Sequence, residues 1–137
     1  MNDAMLQIGE VAEQAGLSLR TVRYYEETGL LKPAMRTDGG FRLYTAEHVD
    51  RLALIKRMKP LGFTVQQMRE LLAARDTLSH EDTPDDVREA ARERLGEFTA
   101  LAAAASDKLR EQLAGGDEFV RQLRRESRRP RISAVVD

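Results

Sequence analysis

A short run near the N-terminus, from Ser18 to Glu26, concentrates side chains that donate hydrogen bonds and carry positive charge. The side chains of interest are Arg20, Thr21, Arg23, Tyr24 and Tyr25. Guanidinium and hydroxyl groups spaced in this way suit phosphate oxygens and the edges of nucleobases better than they suit a small substrate. The run therefore predicts a recognition helix for nucleic acid.

On a helix, at about 100° per residue, the two sides of this run differ in chemistry. Leu19, Val22 and Glu26 fall on one side, which we expect to pack against the rest of the protein. Arg20 and Tyr24 fall on the opposite side. The pattern predicts one packed face and one face free for contact.

The residues before and after this run carry the signals of a helix-turn-helix. Ile8 to Ala15 has the spacing of a short amphipathic helix, and Gly16 interrupts it. Ser18 is a favoured N-cap for the second helix, and Gly29 is expected to end that helix. Two helices joined by so short a turn are typical of DNA-binding proteins.

A hairpin is predicted after the second helix. Asp38 to Gly40 is a turn signal, and Phe41 to Tyr44 alternates as a strand does. Arg36 and Arg42 lie on the two arms of this hairpin. We predict that both arginines contact phosphate or the minor groove, the alternative being that they only keep the hairpin soluble.

The positions of two tyrosines are compatible either with packing in the core or with contact to nucleic acid. Tyr25 borders the packed side of its helix, so its ring could pack while its hydroxyl reaches outward. Tyr44 is either phosphate-facing or part of the core. Both are kept as candidates for nucleic-acid contact.

Two more helices are predicted after the hairpin. Thr45 marks the start of the first, which should end near Pro60 and Gly62. Its expected inward positions are Val49, Leu52, Ala53 and Met58. Thr64 and Gln67 form a capping-box pattern, which predicts the start of the second. Residues 1–75 are thus expected to form one small helical domain.

A long helix is predicted over residues 84–114, after a polar linker at residues 76–83. It should stop at Gly115 and Gly116, and at about 45 Å it is too long for so small a chain to cover. Its apolar stripe, at coiled-coil spacing, consists of Val87, Ala91, Leu95, Phe98, Ala102, Ala105, Leu109 and Leu113. We expect this stripe to hold a homodimer together, the alternative being a helix folded back on its own domain. Residues 115–137 would form a short, partly mobile segment, whose arginine-rich end is either a solvated tail or a contact.

Composition excludes several other classes of protein. The net charge of −1 is low for a nucleic-acid binder, but the acidic residues concentrate in the middle of the chain and leave cations on the predicted helix and hairpin. There is no cysteine, hence no disulfide and no thiolate ligand. No catalytic constellation, cofactor site or metal site is expected. Without a signal peptide or an apolar run, a cytoplasmic location is expected.

Several separated motifs together resemble the mercury-resistance-regulator (MerR) family of bacterial transcription factors. The matching stretches are Ile8–Ala12, Thr21–Glu26, Gly29–Leu31, Arg36 and Gly40–Tyr44. The resemblance covers about residues 8–72 and implies a mainly α fold. In that fold a winged helix-turn-helix DNA-binding domain is followed by a long dimerisation helix, which forms an antiparallel coiled coil with its twin.

The resemblance also implies a function. Lys59 corresponds to a basic residue of the family's second wing, which touches the DNA backbone. Family members bind a pseudo-palindromic promoter site and distort its DNA so that RNA polymerase can engage, whereas the effector of this chain is not visible in its sequence. The alternatives are a coiled-coil adaptor that binds protein, or an architectural DNA-bending protein without an effector.

Overall fold

A computed structural model of the chain describes residues 5–130, which form five α-helices, three short strands and one 3₁₀ turn. In chain order these are β1 (Leu6–Gln7), α1 (Ile8–Ala15), α2 (Leu19–Glu27), β2 (Met35–Arg36), β3 (Arg42–Tyr44), α3 (Ala46–Met58), the 3₁₀ turn (Lys59–Leu61), α4 (Val65–Ser79) and α5 (Asp85–Arg128). Contacts divide the chain into two compact units, one ending at Ala102 and the other beginning at Ala103. Within the described residues, no helix is both long and apolar enough to cross a bilayer.

The predicted helix-turn-helix is present. Gly16 ends α1 with a φ of 68°, a left-handed conformation that glycine adopts without steric cost. The Ser18 hydroxyl accepts a hydrogen bond of 3.0 Å from the backbone N–H of Thr21, so Ser18 is the N-cap of α2. The helix itself ends at Glu27, and Gly29 follows with a φ of 83°.

The wing is a three-stranded antiparallel sheet in the order β1-β3-β2. Met35 pairs with Leu43 and Arg36 with Arg42, as expected for a hairpin that turns at residues 38–40. The sequence did not predict β1, which places Leu6 opposite Tyr44. A strand of two residues carries no alternation, and only its pairing with β3 defines it.

The core of the first unit draws on every helix-turn-helix element and on α3 and α4. Its fully buried large side chains are Val11, Val22, Leu30, Leu31, Tyr44, Leu52, Ile55 and Leu72. Leu19 was expected to pack, but 38% of it is exposed at the first turn of α2. In α3 the buried residues are Leu52, Ile55 and Met58, whereas Ala53 is exposed and Val49 is half-buried.

Capping determines where the next helices begin. The backbone N–H of Thr45 donates to His48 Nδ1 at 2.9 Å, which starts α3. The capping box predicted for α4 is present: the Thr64 hydroxyl accepts from the backbone N–H of Gln67 at 3.1 Å, and Gln67 Oε1 accepts from the backbone N–H of Thr64 at 2.9 Å. The predicted linker at 76–83 is too long, because α4 continues to Ser79.

The first part of α5 packs on its own domain, which corrects part of the predicted dimer stripe. Ala91 and Phe98 are buried, and Ala102 packs against the same core. The rings of Phe63 and Phe98 lie 5.9 Å apart, so α5 covers the start of α4. Helical spacing shows that a face is apolar but not which surface covers it, so these three residues were wrongly assigned to the partner.

The second unit, from Ala103, is a continuation of α5 through Gly115 and Gly116 to Arg128. The predicted stop at these glycines is wrong. Each glycine costs roughly 1 kcal/mol relative to alanine inside a helix, which residues that favour helix on both sides offset. Phe119, Val120 and Leu123 lie within α5 and are exposed, in place of the separate short segment predicted from residue 115 onward. The predicted tail partly falls on residues 131–137, outside the described residues.

Candidate nucleic-acid interface

The exposed face of α2 carries most of the predicted donors. Arg20 and Arg23 are exposed, and half of the Tyr24 side chain is exposed. The Thr21 hydroxyl lies 2.7 Å from the Ser18 hydroxyl, so it also belongs to the cap of the helix. Two guanidiniums and a phenol thus project from one helix, as a reader of phosphates and base edges requires.

Tyr25 packs inward. Only 4% of it is exposed, and burial raises the pKa of its phenol, to which the neighbouring Tyr24 adds. The rings of Tyr24 and Tyr25 lie 5.6 Å apart and are tilted by 57°. Of the two roles left open for Tyr25, the structure supports packing, and it leaves at most the edge of the side chain for contact.

A cleft of about 440 Å³ separates α2 from the 3₁₀ turn and α4. Its lining residues are Arg20, Thr21, Tyr24, Tyr25, Lys59, Phe63, Val65 and Met68. Arg20 and Lys59 are exposed beside it, whereas Phe63 and Met68 are buried. The cleft brings the residue of the predicted second wing next to the recognition helix, although 39 positions separate Arg20 from Lys59 in the sequence.

The two wing arginines face each other across the hairpin and differ in their surroundings. Arg36 is exposed, while Arg42 Nε lies 2.5 Å from Glu26 Oε1. The two groups form an ion pair, and Arg42 Nε has no hydrogen-bond partner among the described residues. The positive charges of Arg36 and Arg42 would otherwise repel each other across the paired strands, and the carboxylate of Glu26 neutralises that of Arg42.

The contact predicted for Tyr44 does not fit the structure. Tyr44 is fully buried, and its hydroxyl donates a hydrogen bond to Glu26 Oε2. Burial raises the pKa of this phenol well above its usual range, and the hydrogen bond and charge of Glu26 raise it further. Tyr44 leaves no surface for DNA, because the pairing of β3 with β1 turns its ring into the core.

Glu26 was not predicted as a site residue from the sequence, yet it contacts two residues of the wing. It joins α2 to the wing through Arg42 and Tyr44, and its side chain is only 10% exposed. The signal was present, because an acidic residue on the packed side of a helix requires a buried donor or cation. Two exposed apolar residues of the wing, Met35 and Phe41, were not predicted either.

We expect Tyr44→Phe to lower the free energy of unfolding by about 2 kcal/mol, since it removes a buried donor to a carboxylate. Urea unfolding followed by circular dichroism measures the change. Tyr24→Phe is the matched control, because Tyr24 is half exposed and should change stability by less than about 0.5 kcal/mol. Equal effects of the two substitutions would show that the Tyr44–Glu26 bond does not hold the wing.

Known proteins share both the sequence and the fold of this region. Residues 6–75 match the profile of the MerR HTH family regulatory proteins, and residues 49–115 match that of the MerR DNA-binding region. The chain belongs to the MerR family. It is a DNA-binding transcription regulator of the MerR type and not an enzyme, as the sequence predicted.

Relatives in this family differ in how much of their length is shared. Heavy metal-dependent transcription regulator 2 of Rhizobium meliloti is 37% identical over 112 residues, which are 80% of this chain and 75% of that protein. The regulator CueR of Yersinia pestis is 44% identical over 68 residues, about half of either protein. The share of the relative's own length that is matched is therefore about half for CueR and three quarters for the Rhizobium meliloti regulator.

The MerR fold extends to solved structures. The transcription regulator PbrR691 from Ralstonia metallidurans CH34, determined in complex with lead(II), is 31% identical. It matches over 95% of this chain and 93% of its own, with a TM-score of 0.55. The mainly helical fold with a small wing and a long C-terminal helix is therefore that of the family.

Proposed function

We propose that this MerR-family protein is a homodimer that binds a pseudo-palindromic promoter site and controls transcription by distorting its DNA. The observation that carries the proposal is the arrangement of exposed donors on α2 between two basic flanks. Arg20, Arg23 and Tyr24 project from the helix, Arg36 lies on the wing on one side, and Lys59 lies beside the cleft on the other. A recognition helix flanked by phosphate contacts fits the major groove of duplex DNA.

The proposed dimer uses the later part of the apolar stripe. Leu109 is 43% and Leu113 is 65% exposed in the single chain, which is unusual for large apolar residues placed regularly on one helix. Pairing with the same helix of a second copy would bury them. Val87, Leu95 and Ala105 are kept as candidate dimer contacts, whereas Ala91, Phe98 and Ala102 are not.

A two-fold dimer carries two recognition helices, so it would read two half-sites in successive turns of the duplex. Bending a site of 20–30 base pairs costs roughly 1–6 kcal/mol, which is enough for DNA distortion to act as a switch. RNA polymerase is the partner that such a switch serves, which would place the protein in the cytoplasm with the promoter. The effector is not assigned: the names of two relatives refer to metals, but this chain has no cysteine to supply thiolate ligands.

Selection of bound duplexes from a random DNA pool, repeated at two salt concentrations, tests the proposal. We expect enrichment of an inverted repeat whose affinity falls steeply as ionic strength rises. Enrichment of bent DNA without sequence preference would indicate an architectural protein. No enrichment at either salt concentration would contradict the proposal and favour an adaptor that binds protein.

We expect Arg23→Ala to weaken binding to every duplex by about tenfold, because a phosphate contact carries little sequence information. Fluorescence anisotropy with the selected duplex and with an unrelated duplex measures both affinities. Arg92→Ala, on the exposed face of α5, is the control and should bind as the parent protein does. Unchanged affinity of the Arg23 variant for both duplexes would remove Arg23 from the interface.

A further inference from the structure

The C-terminal end of the recognition helix α2 is held by an arginine from another helix. Arg69, on α4, donates from Nη2 to the backbone carbonyl of Thr28 at 2.6 Å. Thr28 is the C-cap of α2, where carbonyl groups lack partners within the helix. A guanidinium at this end also complements the negative end of the helix dipole. Arg69 thus stabilises both the position and the ending of α2.

Arg69 is itself oriented by side chains that lead toward α5. Its Nη1 donates to Gln66 Oε1 at 2.6 Å, and Gln66 Nε2 donates to Glu70 Oε1 at 3.2 Å. The second oxygen of Glu70 accepts a hydrogen bond from Arg94, on α5. These bonds form one continuous series from α5, across α4, to the last turn of α2. All of its members lie within the first unit of the chain.

The α5 end of the series is firmly placed. The Arg94 guanidinium lies 4.4 Å from the ring centre of Phe98, which is 3% exposed and packs against Phe63. Arg94 also pairs with Glu97 on its own helix. Hydrogen bonds from Arg94 and then Gln66 lower the pKa of Glu70, so this carboxylate stays charged at neutral pH. Arg94 therefore has a fixed position from which to act on Glu70.

We propose that Arg69 is a positioning residue for the recognition helix and that α5 sets its orientation through Arg94, Glu70 and Gln66. A shift of Arg94 moves its carboxylate partner Glu70, and Gln66 and Arg69 follow because hydrogen bonds join each of them in turn to Glu70. The dimer helix and the DNA-reading helix are thereby coupled by polar contacts as well as by the apolar core. The consequence for DNA binding rests on the proposed function, whereas the coupling within the protein does not.

Hydrogen–deuterium exchange on the free, full-length protein tests the coupling without DNA. The reporters are the backbone N–H groups of Gly29 and Leu30, which bond to Glu26 and Tyr25 at 3.0 Å. Arg69→Met and Arg94→Met should each raise exchange there by about three- to tenfold. Arg92→Met is the matched control, because Arg92 pairs only with Glu89 of its own helix among the described residues. It should leave these reporters unchanged.

Two further variants separate coupling from general loosening. Glu70→Ala breaks the series without touching Phe98, and it should raise exchange at the reporters as Arg94→Met does. The double variant Arg69→Met with Arg94→Met should exchange no faster than Arg69→Met alone, because both act on one path.

Unchanged reporter exchange in Arg94→Met and Glu70→Ala, with faster exchange in Arg69→Met, would overturn the role of α5. Unchanged exchange in Arg69→Met would overturn the positioning role itself. Additive effects in the double variant would also contradict a single path. The affinity of the parent protein and of each variant for DNA is then compared. Failure of the parent protein to bind any DNA would contradict the proposed function without affecting the exchange results.

Discussion

Leu109→Asp is expected to convert the protein into a monomer and to lower its affinity for the selected duplex by about 100-fold or more. Leu109 is an exposed leucine of α5, and in a two-fold dimer each substitution occurs twice. Two carboxylates would then enter an apolar seam without partners, which costs several kcal/mol. Analytical ultracentrifugation measures the mass in solution, and fluorescence anisotropy measures the affinity for DNA.

Ala104→Asp is the matched control for this experiment. Ala104 is exposed on the same helix about 140° around its axis from Leu109, outside the proposed stripe, and the substitution adds the same charge. The Ala104 variant should remain dimeric and bind DNA as the parent protein does. A Leu109→Asp protein that remains a dimer would show that the interface lies elsewhere, and dimers lost in both variants would indicate general charge repulsion.

The second large effect is on stability. We expect Phe98→Ala to lower the free energy of unfolding by about 3–5 kcal/mol, because it empties a core site next to Phe63. The loss of the ring also removes the cation–π contact with Arg94. Urea unfolding at one fixed protein concentration measures the change, since the stability of a dimer depends on concentration.

Phe119→Ala provides the comparison, because 58% of Phe119 is exposed on the same helix. Its removal should change the free energy of unfolding of the single chain by no more than about 0.5 kcal/mol. If Phe98→Ala costs no more than Phe119→Ala, then Phe98 does not belong to the core of the DNA-binding domain.

Features encoded by a few neighbouring residues were predictable from the sequence. The caps at Ser18 and Thr64 and the turn at residues 38–40 depend on local hydrogen bonds and on residues that tolerate positive φ. The exposed donors Arg20 and Tyr24 followed from helical periodicity, and the structure places both at the surface. The family resemblance rested on motifs that occur in the same order along the chain, and the family profiles over residues 6–75 and 49–115 confirmed it.

Features that depend on distant partners were not predictable. Strand β1 exists only through its pairing with β3, and the burial of Tyr44 follows from that pairing. The apolar face of α5 packs against its own domain near Phe98. Near Leu109 the same face is proposed to pack against a second copy of the chain. Periodicity shows that such a face needs covering, but not by what. The DNA contacts of Arg36, Arg42 and Lys59 remain proposals that binding measurements must test.

The ion pair between Glu26 and Arg42 has a consequence for the counterions of the DNA. Glu26 already neutralises the charge of Arg42 within the protein. When Arg42 approaches a phosphate, fewer cations are therefore released from the DNA than an unpaired arginine would release. Among the predicted contact residues, four exposed cations remain for this role on each protomer: Arg20, Arg23, Arg36 and Lys59. For a dimer this corresponds to a slope of log affinity against log salt of about −7, whereas counting Arg42 would give about −9. Glu26→Gln should therefore make the slope steeper, even though it loosens the attachment of the wing.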